Sequence, residues 1–289
     1  MLLVLGAGGQ VGRVLTELAG ASAIGLDRTA CDICDSSAVE HALRSLSPAV
    51  VVNCAGYTAV DRAESDRDEA FRVNAKGAGI VARAAAARSL PIIQLSTDYV
   101  YAGTGLAPHV EGEAVAPANL YGASKAAGDA AVQEGNPAHL LLRVSWVFGA
   151  HGTNFVKTML RLGHERRELH VVSDQVGAPT EARDIAEAVL VMAKGCQAAG
   201  FGSWGVYHFA SLPTTTWYEF AGEIFHRARL AAPPRLIPIP TKEYRSAAAR
   251  PLNSVLDCTK IGRAFSIGQP DWRNALDRVL LELGAVDWF

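Results

Sequence analysis

The stretch LLVLGAGGQVG, residues 2–12, decides how the amino-terminal half of the chain folds. Residues 2–5 are a short apolar run typical of a buried strand, and Val14, Leu15 and Leu18 then recur at helical spacing. Glycines between a strand and a helix permit a tight turn and let backbone N–H groups approach a pyrophosphate. The unpaired N–H groups at the start of the helix favour the same anion. The stretch therefore predicts the first βα turn of a dinucleotide-binding unit.

The alternation of apolar strand and helical stretch continues through the first half of the chain. Apolar runs at residues 21–26, 49–56, 91–95 and 140–144 predict four more strands, and residues 67–88 predict one long helix. Strands that alternate with helices this regularly are typical of a parallel sheet with helices on both faces. We therefore predict an α/β fold built on a doubly wound parallel (Rossmann) sheet.

The second half of the chain alternates less regularly and predicts a smaller α+β substrate-binding lid. Helices are expected near residues 154–166 and 216–229, the second started by threonines that can cap it. A helix near residues 182–194 is expected to rejoin the sheet. We predict a dinucleotide-binding Rossmann domain over residues 1–148, rejoined by about 181–210, and a lid over residues 149–180 and 211–289.

The end of the second predicted strand bears on the choice of cofactor. Asp27 lies about 20 residues beyond the glycine turn, where an acid binds a ribose 2′-hydroxyl and favours NADH. Arg28 follows directly, and a guanidinium there suits the 2′-phosphate of NADPH. Because the two neighbours favour opposite cofactors, the sequence leaves NADH against NADPH open.

Bulk composition excludes several classes of protein. A net charge of −2 over 289 residues offers no field for nucleic acid or an anionic membrane. The chain lacks a run of the roughly 18 apolar residues that a membrane helix needs, and its five scattered cysteines fit a reducing compartment. Cys31 and Cys34 form a C-x-x-C without the second pair or histidine cluster of a zinc site. We predict a cytoplasmic protein without a metal, in which His151 and His208 are structural.

The pentapeptide YGASK, residues 121–125, carries the predicted chemistry. Tyr121 and Lys125, four residues apart on a helix, share one face. A phenol titrates at about pH 10, and an ammonium one turn away is expected to lower that pKa. The phenol would then be able to give its proton to a carbonyl that becomes an alcohol. On spacing alone, the pair also fits an exposed helix without a function.

Polar and small residues follow two other predicted strands. Ser96, Thr97 and Asp98 come after the run at 91–95, and the small residues around Ala55 leave room for a cofactor at a strand end. With the glycine turn and YGASK, they resemble the extended short-chain dehydrogenase/reductase superfamily. Within it, five longer motifs resemble the dTDP-4-dehydrorhamnose reductases: NCAGYTAVD (53–61), STDYV (96–100), SWV (145–147), DQVGAPT (174–180) and RPLNS (250–254).

The resemblance implies a reaction and a set of contacts. The reaction is reduction of dTDP-4-dehydro-L-rhamnose to dTDP-L-rhamnose by NADPH or NADH. Tyr121 would donate the proton, Lys125 would support it and bind the nicotinamide ribose, and Thr97 would hydrogen-bond the keto oxygen. The cofactor would contact Gly6, Gly9, Gln10, Val11, Asp27, Arg28, Asp32, Ile33, Ala55, Gly56, Tyr57, Tyr121 and Lys125. The dTDP-sugar would contact Thr97, Asp98, Trp146, Arg250 and Asn253.

Rival functions differ from this one by single features. A sugar-nucleotide 4,6-dehydratase needs an acid directly after Thr97-Asp98, and Tyr99 stands there instead. The motifs DQVGAPT and RPLNS favour the reductase over a 4-epimerase, while a reductase of a related dTDP-4-keto sugar stays open. A non-catalytic regulatory subunit, similar to the one paired with methionine adenosyltransferase, keeps the fold without needing its chemistry. The intact Thr97, Tyr121 and Lys125 set argues against it.

One departure from the family concerns the assembly. Some members are described as joining their dimer through a magnesium ion held by glutamates, one of them in the first helix. Val14 stands at the matching position. The sequence therefore argues against a metal-bridged dimer and leaves a homodimer of another kind open.

Overall fold

The computed structural model describes residues 1–285, a part of the chain that contains twelve strands and eleven α-helices. The strands are β1 Leu2–Leu5, β2 Ala23–Leu26, β3 Val50–Asn53, β4 Ile92–Thr97, β5 His139–Val144, β6 Val147–Phe148, β7 Glu168–Val172, β8 Val176–Gly177, β9 Thr180–Glu181, β10 Gly205–Phe209, β11 Thr215–Thr216 and β12 Arg235–Ile239. The helices are α1 Gln10–Ala19, α2 Ser36–Leu46, α3 Val60–Ala63, α4 Arg67–Phe71, α5 Ala78–Ala86, α6 Leu120–Gly135, α7 Phe155–Glu165, α8 Ala182–Gly195, α9 Trp217–Arg227, α10 Thr259–Phe265 and α11 Trp272–Glu282.

Six strands form one central sheet in which all neighbours run parallel. Its order is β2-β1-β3-β4-β5-β10, so the chain builds one edge beside β1 and then the rest of the sheet on the other side. The doubly wound parallel sheet predicted from the sequence is confirmed. Between β1 and β3 the direction of winding changes, and open α/β sheets bind ligands at the carboxyl ends of the strands at such a point.

Both faces of the sheet are covered by helices. Leu2 and Val4 pack in one core with apolar side chains of α1 and α8. Leu3 and Leu5 point to the opposite face and pack in a second core with α2, α5 and α6. A strand buried on both faces is apolar at every position, because its side chains alternate between two cores. This explains why the first strand reads as a continuous apolar run.

A third core lies in the second half of the chain. It joins α7, α9 and α11 around Phe220, Ile224 and Trp272. The start of α9 is fixed by a capping box, in which Glu219 N donates to Thr216 Oγ1 at 3.1 Å and Thr216 N donates to Glu219 Oε2 at 2.9 Å. The predicted start of this helix at threonine is confirmed, since the two side chains satisfy N–H groups that have no partner within the helix.

The long helix predicted over residues 67–88 is confirmed over residues 67–86, although its middle is π-helical and not α-helical. It is divided into α4, a π-helical segment at Arg72–Gly77, and α5. Such wider turns often occur at functional sites. Here the segment carries Asn74, which accepts a hydrogen bond from Tyr57 N at 2.8 Å and donates to Ser124 Oγ at 2.9 Å. Apolar periodicity does not distinguish a π turn from an α turn, so the π-helical segment could not be predicted from the pattern.

Helix α6, which carries Tyr121 and Lys125, approaches its neighbours backbone to backbone. A Cβ atom at Gly122 would lie 2.1 Å from the carbonyl oxygen of Tyr99, and a Cβ at Gly128 would lie 2.0 Å from that of Asn74. Both distances are shorter than any van der Waals contact. The two glycines therefore set how deeply the helix sits beside β4 and the 72–77 segment.

We expect Gly128→Ala to destabilise the protein by about 1–3 kcal/mol, because the added methyl group forces α6 away from Asn74. Gly222→Ala in α9 is the matched control. Its Cβ would meet only Leu236 Cδ1 at 3.8 Å, so better helix propensity should raise the free energy of unfolding by roughly 0.5–1 kcal/mol. Urea denaturation of both variants measures the difference. Equal effects in the two helices would contradict the close contact.

Candidate functional site

Two adjoining cavities form one cleft at the carboxyl ends of β1, β3 and β4. The first, about 390 Å³, lies beside β1 and β2, and the second, about 660 Å³, extends over β4 and the start of α6. Gly9, Cys54, Ala55 and Gly56 line both, which makes the cleft continuous. It lies at the switch point of the sheet, where a dinucleotide is expected.

The predicted glycine turn joins β1 to α1 at the floor of the cleft. Gly6 has φ of +80°, which favours glycine, and a Cβ there would lie 2.4 Å from Ala55 N. A Cβ at Gly12 would lie 2.3 Å from Gly6 O, so α1 packs directly on the turn. Gly9 caps α1 without a side chain, which leaves the first N–H groups of the helix for an anion.

The first cavity brings together the residues predicted for the adenosine end. Asp27, Arg28, Asp32 and Ile33 all line it. Asp27 Oδ1 accepts hydrogen bonds from Thr29 N, Thr29 Oγ1 and Ala30 N at 2.7–3.0 Å. These bonds, the Thr29 hydroxyl first, lower the pKa of Asp27. The carboxylate is thus ionised and fixed in position, with its second oxygen available to a ribose hydroxyl.

Tyr121 lies in the first turn of α6 and lines the second cavity. Asn119 caps the helix by accepting from Gly122 N at 2.7 Å, and the Tyr99 ring packs edge-on against the Tyr121 ring at 5.7 Å. Burial raises the pKa of the phenol, and the hydroxyl of Thr97 offsets part of that rise. The expected lowering of this pKa by Lys125 is wrong for this structure, because removal from water is the larger effect.

Lys125 is buried in the same cavity and points to the carboxyl end of β4. Its Nζ donates to the carbonyl oxygen of Leu95 at 2.7 Å and lies 3.9 Å from where a Cβ of Gly56 would be. Burial lowers the pKa of Lys125, and the negative charge of Asp129, one turn along α6, opposes that change. The ammonium is therefore held between the strand end and the cofactor side of the cleft.

Asp129 belongs to a buried chain of polar contacts behind Lys125. Arg143 Nε donates to Asp129 Oδ2 at 3.1 Å, and Arg143 Nη1 donates to Tyr101 Oη at 2.6 Å. Tyr101 Oη in turn lies 2.7 Å from His208 Nε2. Burial and the nearby Arg143 lower the pKa of His208 to about 3. His208 is therefore a neutral structural residue, as predicted, and β10 holds it next to β5.

Thr97 and Asp98 end β4 beside Tyr121. Thr97 Oγ1 donates to Asp98 Oδ1 at 3.0 Å and accepts from Tyr99 N at 3.2 Å. Asp98 Oδ2 is buried and accepts no hydrogen bond within the geometric limits from residues 1–285. Burial raises the pKa of Asp98 to about 6, although interactions with the hydroxyls of Ser254 and Thr97 oppose the rise.

Trp146 and Trp217 together form one wall of the second cavity. Of the two, only Trp146 was predicted from the sequence. Their rings stack at 3.6 Å with 10° between planes. Trp146 has φ of +46°, an uncommon conformation for a bulky residue and typical of functional sites. A Cβ at Gly177 would lie 2.4 Å from Trp146 Cε2. The glycine of DQVGAPT is thus required by the indole, a contact that sequence spacing does not reveal.

Arg250 reaches the cleft, whereas Asn253 does not. Arg250 Nη2 donates to Asp61 Oδ2 at 2.7 Å and Nη1 donates to Tyr99 Oη at 3.4 Å, joining RPLNS to the dinucleotide-binding half. Asn253 Nδ2 donates to Ala107 O at 2.8 Å, and its Oδ1 accepts from Val255 N at 3.0 Å. Both polar atoms serve backbone groups outside the cleft, so the predicted contact of Asn253 with substrate finds no support.

Comparison with known proteins identifies the family. The family model "RmlD substrate binding domain" matches residues 1–284. The chain is 42% identical to a dTDP-4-dehydrorhamnose reductase of Burkholderia thailandensis, with 98% of each chain covered, and 40% identical to one of Aggregatibacter actinomycetemcomitans, covering 96% and 97%. The chain belongs to the dTDP-4-dehydrorhamnose reductase family. A solved reductase of Bacillus anthracis in complex with NADP superposes with a TM-score of 0.90 at 35% identity, covering 97% and 98%.

Sequence reasoning missed four residues that shape the site through their contacts. Asn74 and Ser124 position Tyr57 and α6, and Trp217 stacks on Trp146. Asp61 binds Arg250 from the NCAGYTAVD motif. The contact between Asp61 and Arg250 could be predicted in principle, because the acid is the last residue of the NCAGYTAVD motif. The others join positions far apart in sequence.

Val14 stands where some reductases are described as carrying a glutamate that holds magnesium. Val14 lines a cavity of about 310 Å³ with Glu17, Glu181 and Glu282. Arg278 Nη2 binds the carboxylate of Glu181 in that cavity, which neutralises a charge that a cation would need. Among residues 1–285, groups of three or more His, Cys, Asp or Glu side chains with metal-binding geometry are absent.

Within residues 1–285, every helix is too short or too polar to cross a membrane.

Asp98→Asn tests the burial of this carboxyl group. The folded state holds the Asp98 proton more tightly than the unfolded state, whose pKa is near 3.8. Ionisation with rising pH should therefore lower the stability of the wild type relative to the variant by about 2 kcal/mol between roughly pH 4.5 and 7.5. Urea denaturation of both proteins at the two pH values measures this. A difference independent of pH would contradict the burial.

Proposed function

We propose that this enzyme reduces dTDP-4-dehydro-L-rhamnose to dTDP-L-rhamnose with hydride from NAD(P)H, and that Tyr121 donates the proton. The observation that carries the proposal is the convergence of Thr97, Tyr121 and Lys125 on one cavity beside Gly56, at the switch point of the sheet. Curated relatives that span nearly the whole chain at 40–42% identity carry the name of this reductase. Their name supports the choice of sugar nucleotide.

The cofactor residues fit a nicotinamide dinucleotide bound along the cleft. The N–H groups at the start of α1 suit its pyrophosphate, and Asp27 suits the ribose of its adenosine. Lys125 would hold the nicotinamide ribose from the strand end next to Gly56. When bound, NAD(P)H supplies the hydride that goes to carbon 4 of the sugar.

The protein residues handle the charge that develops on the keto oxygen. The Thr97 hydroxyl has a single hydrogen, so it turns from Asp98 Oδ1 to that oxygen when the substrate binds. Tyr121 hydrogen-bonds the same oxygen and transfers its proton, which completes the alcohol. Because burial raises the pKa of the phenol, the phenolate left behind needs a nearby cation. Lys125 supplies that charge on the same face of α6.

The walls of the second cavity suit a sugar nucleotide. The stacked Trp146 and Trp217 offer a flat apolar surface to a sugar or a base. Arg250 carries a buried Nε that lacks a hydrogen-bond partner among residues 1–285, and a guanidinium suits a diphosphate. We assign Trp217 and Arg250 to the lid, residues 149–180 and 211–289. The lid closes over residues 1–148, where Trp146 lies, and over their extension at about 181–210.

The composition bears on where the enzyme works and on what it binds. Its partner is a small-molecule dTDP-sugar, and its place is the cytoplasm, as the composition suggests. A homodimer, if formed, uses contacts other than a magnesium bridge, because Val14 lacks the ligand and Arg278 occupies Glu181.

Tyr121→Phe should lower kcat by roughly 100-fold or more, because the phenyl ring keeps the shape of the site and lacks the proton. The assay follows the absorbance of NADPH or NADH with dTDP-4-dehydro-L-rhamnose. Cofactor affinity, measured by fluorescence, should stay within about twofold of wild type. Near-normal turnover in the variant would refute the assignment.

Failure of the wild type to oxidise cofactor with any dTDP-4-keto sugar would favour a regulatory subunit. Turnover of another such sugar alone would reassign the substrate.

Arg250→Ala should raise the KM for the sugar nucleotide by roughly tenfold, because a charge-assisted contact with the diphosphate is lost. The KM for NAD(P)H should change little. Arg245→Ala is the control, since Arg245 is an exposed arginine of the same segment. If the cofactor KM rose instead, or if both variants behaved alike, Arg250 would not be a substrate contact.

A further inference from the structure

The adenosine end of the cleft carries more charge than the sequence predicted. Asp27, Arg28, Asp32 and Glu69 all line the first cavity, and Arg72 lies beside it. We call these five residues the adenosine charge cluster. Three carboxylates face two guanidinium groups in it, a net charge of −1 if all are ionised. NADPH would bring a further 2′-phosphate to this place.

Glu69 connects both arginines of the cluster. Arg72 Nε donates to Glu69 Oε2 at 2.6 Å and Arg72 Nη2 donates to Oε1 at 2.8 Å. Arg28 Nη2 donates to the same Oε1 at 3.3 Å. The hydrogen bonds from Arg72 are the main reason that the pKa of Glu69 is lowered. Glu69 is therefore an ionised carboxylate in the wall of the cavity.

Arg28 is the group that a 2′-phosphate needs, and Glu69 already holds it. Of the described side chains that line the first cavity, Arg28 alone carries a positive charge. Its side chain is 70% exposed, whereas that of Glu69 is 28% exposed, so Arg28 is the mobile partner of the pair. A phosphate would have to attract Arg28 away from Glu69 while standing close to the same carboxylate.

We propose that Glu69 is a specificity-determining residue that disfavours the 2′-phosphate of NADPH relative to the 2′-hydroxyl of NADH. It acts by direct repulsion and by competing for Arg28. Asp27 favours the hydroxyl independently, because the Thr29–Ala30 turn fixes its carboxylate. The proposal rests on the proposed function for its assumption that the cleft binds a nicotinamide dinucleotide.

The test compares the dissociation constants of NADPH and NADH, measured by the fluorescence of the reduced nicotinamide. Glu69→Gln keeps the shape of the side chain and removes its charge. The affinity for NADPH relative to NADH should rise by roughly tenfold, the size expected for loss of one close like charge at a partly exposed site. In an Arg28→Gln background, the gain should be smaller, because only the loss of direct repulsion remains and there is no arginine to release.

Asp68→Asn is the matched control. Asp68 precedes Glu69 in α4, is exposed, and lies outside the walls of the first cavity. The Asp68→Asn variant removes the same charge as Glu69→Gln but farther from the bound cofactor. Because water and salt screen that charge, the affinity ratio should change by less than about twofold. An unchanged ratio in Glu69→Gln, or an equal change in Asp68→Asn, would overturn the proposal.

A measurement on the wild type alone makes the proposal independent of how the variants fold. As competitors of NADH, 5′-AMP should bind at least as tightly as adenosine 2′,5′-bisphosphate. Tighter binding of the bisphosphate would refute discrimination by Glu69. If neither reduced cofactor bound, the proposed function itself would fail, whereas binding of both with an unaltered ratio would defeat only the role of Glu69.

Discussion

The site depends on how closely α6 approaches the sheet. Gly122 and Gly128 let the helix meet the backbones of Tyr99 and Asn74 at distances that exclude any side chain. This depth brings the Lys125 ammonium within 2.7 Å of the carbonyl oxygen at the end of β4. A helix displaced by the width of one methyl group would carry its first turn away from Thr97. The geometry of the proposed reaction is therefore set by backbone packing before any charge is considered.

Burial then determines the electrostatics of that site. The phenol of Tyr121 and the ammonium of Lys125 are each pushed toward their neutral forms, and the carboxyl group of Asp98 likewise. Asp129 opposes the change at Lys125 and is itself paired with Arg143. The spacing of tyrosine and lysine suggested that a lowered phenol pKa is built into the helix. In this buried site the same spacing instead keeps a compensating positive charge close to the oxygen on which the reaction produces negative charge.

Whether a feature could be predicted from the sequence depends on how far apart in the chain its interacting residues are. Local patterns predicted the glycine turn and the cap at Thr216, because each depends on residues a few positions apart. The parallel sheet was predictable from the regular alternation of strands and helices along the chain. The π turn around Asn74 and the stack of Trp146 on Trp217 depend on packing between distant segments, and no local pattern encodes them. The RPLNS motif predicts a contact between Asn253 and the substrate. In the structure the amide group of Asn253 instead forms hydrogen bonds with the backbone of Val255 and Ala107.

The two ends of the cleft are built on different principles. At the reaction end, polar groups are buried and few in number, so each interaction is strong and small displacements matter. At the adenosine end, Arg28 and Glu69 are partly exposed and their pairing is screened by salt. Cofactor choice can therefore change through single surface substitutions without disturbing Tyr121 or Lys125. The neighbours Asp27 and Arg28 favour opposite cofactors, so the choice between NADH and NADPH depends on what each side chain contacts. The contact that matters most is that of Arg28 with the carboxylate of Glu69.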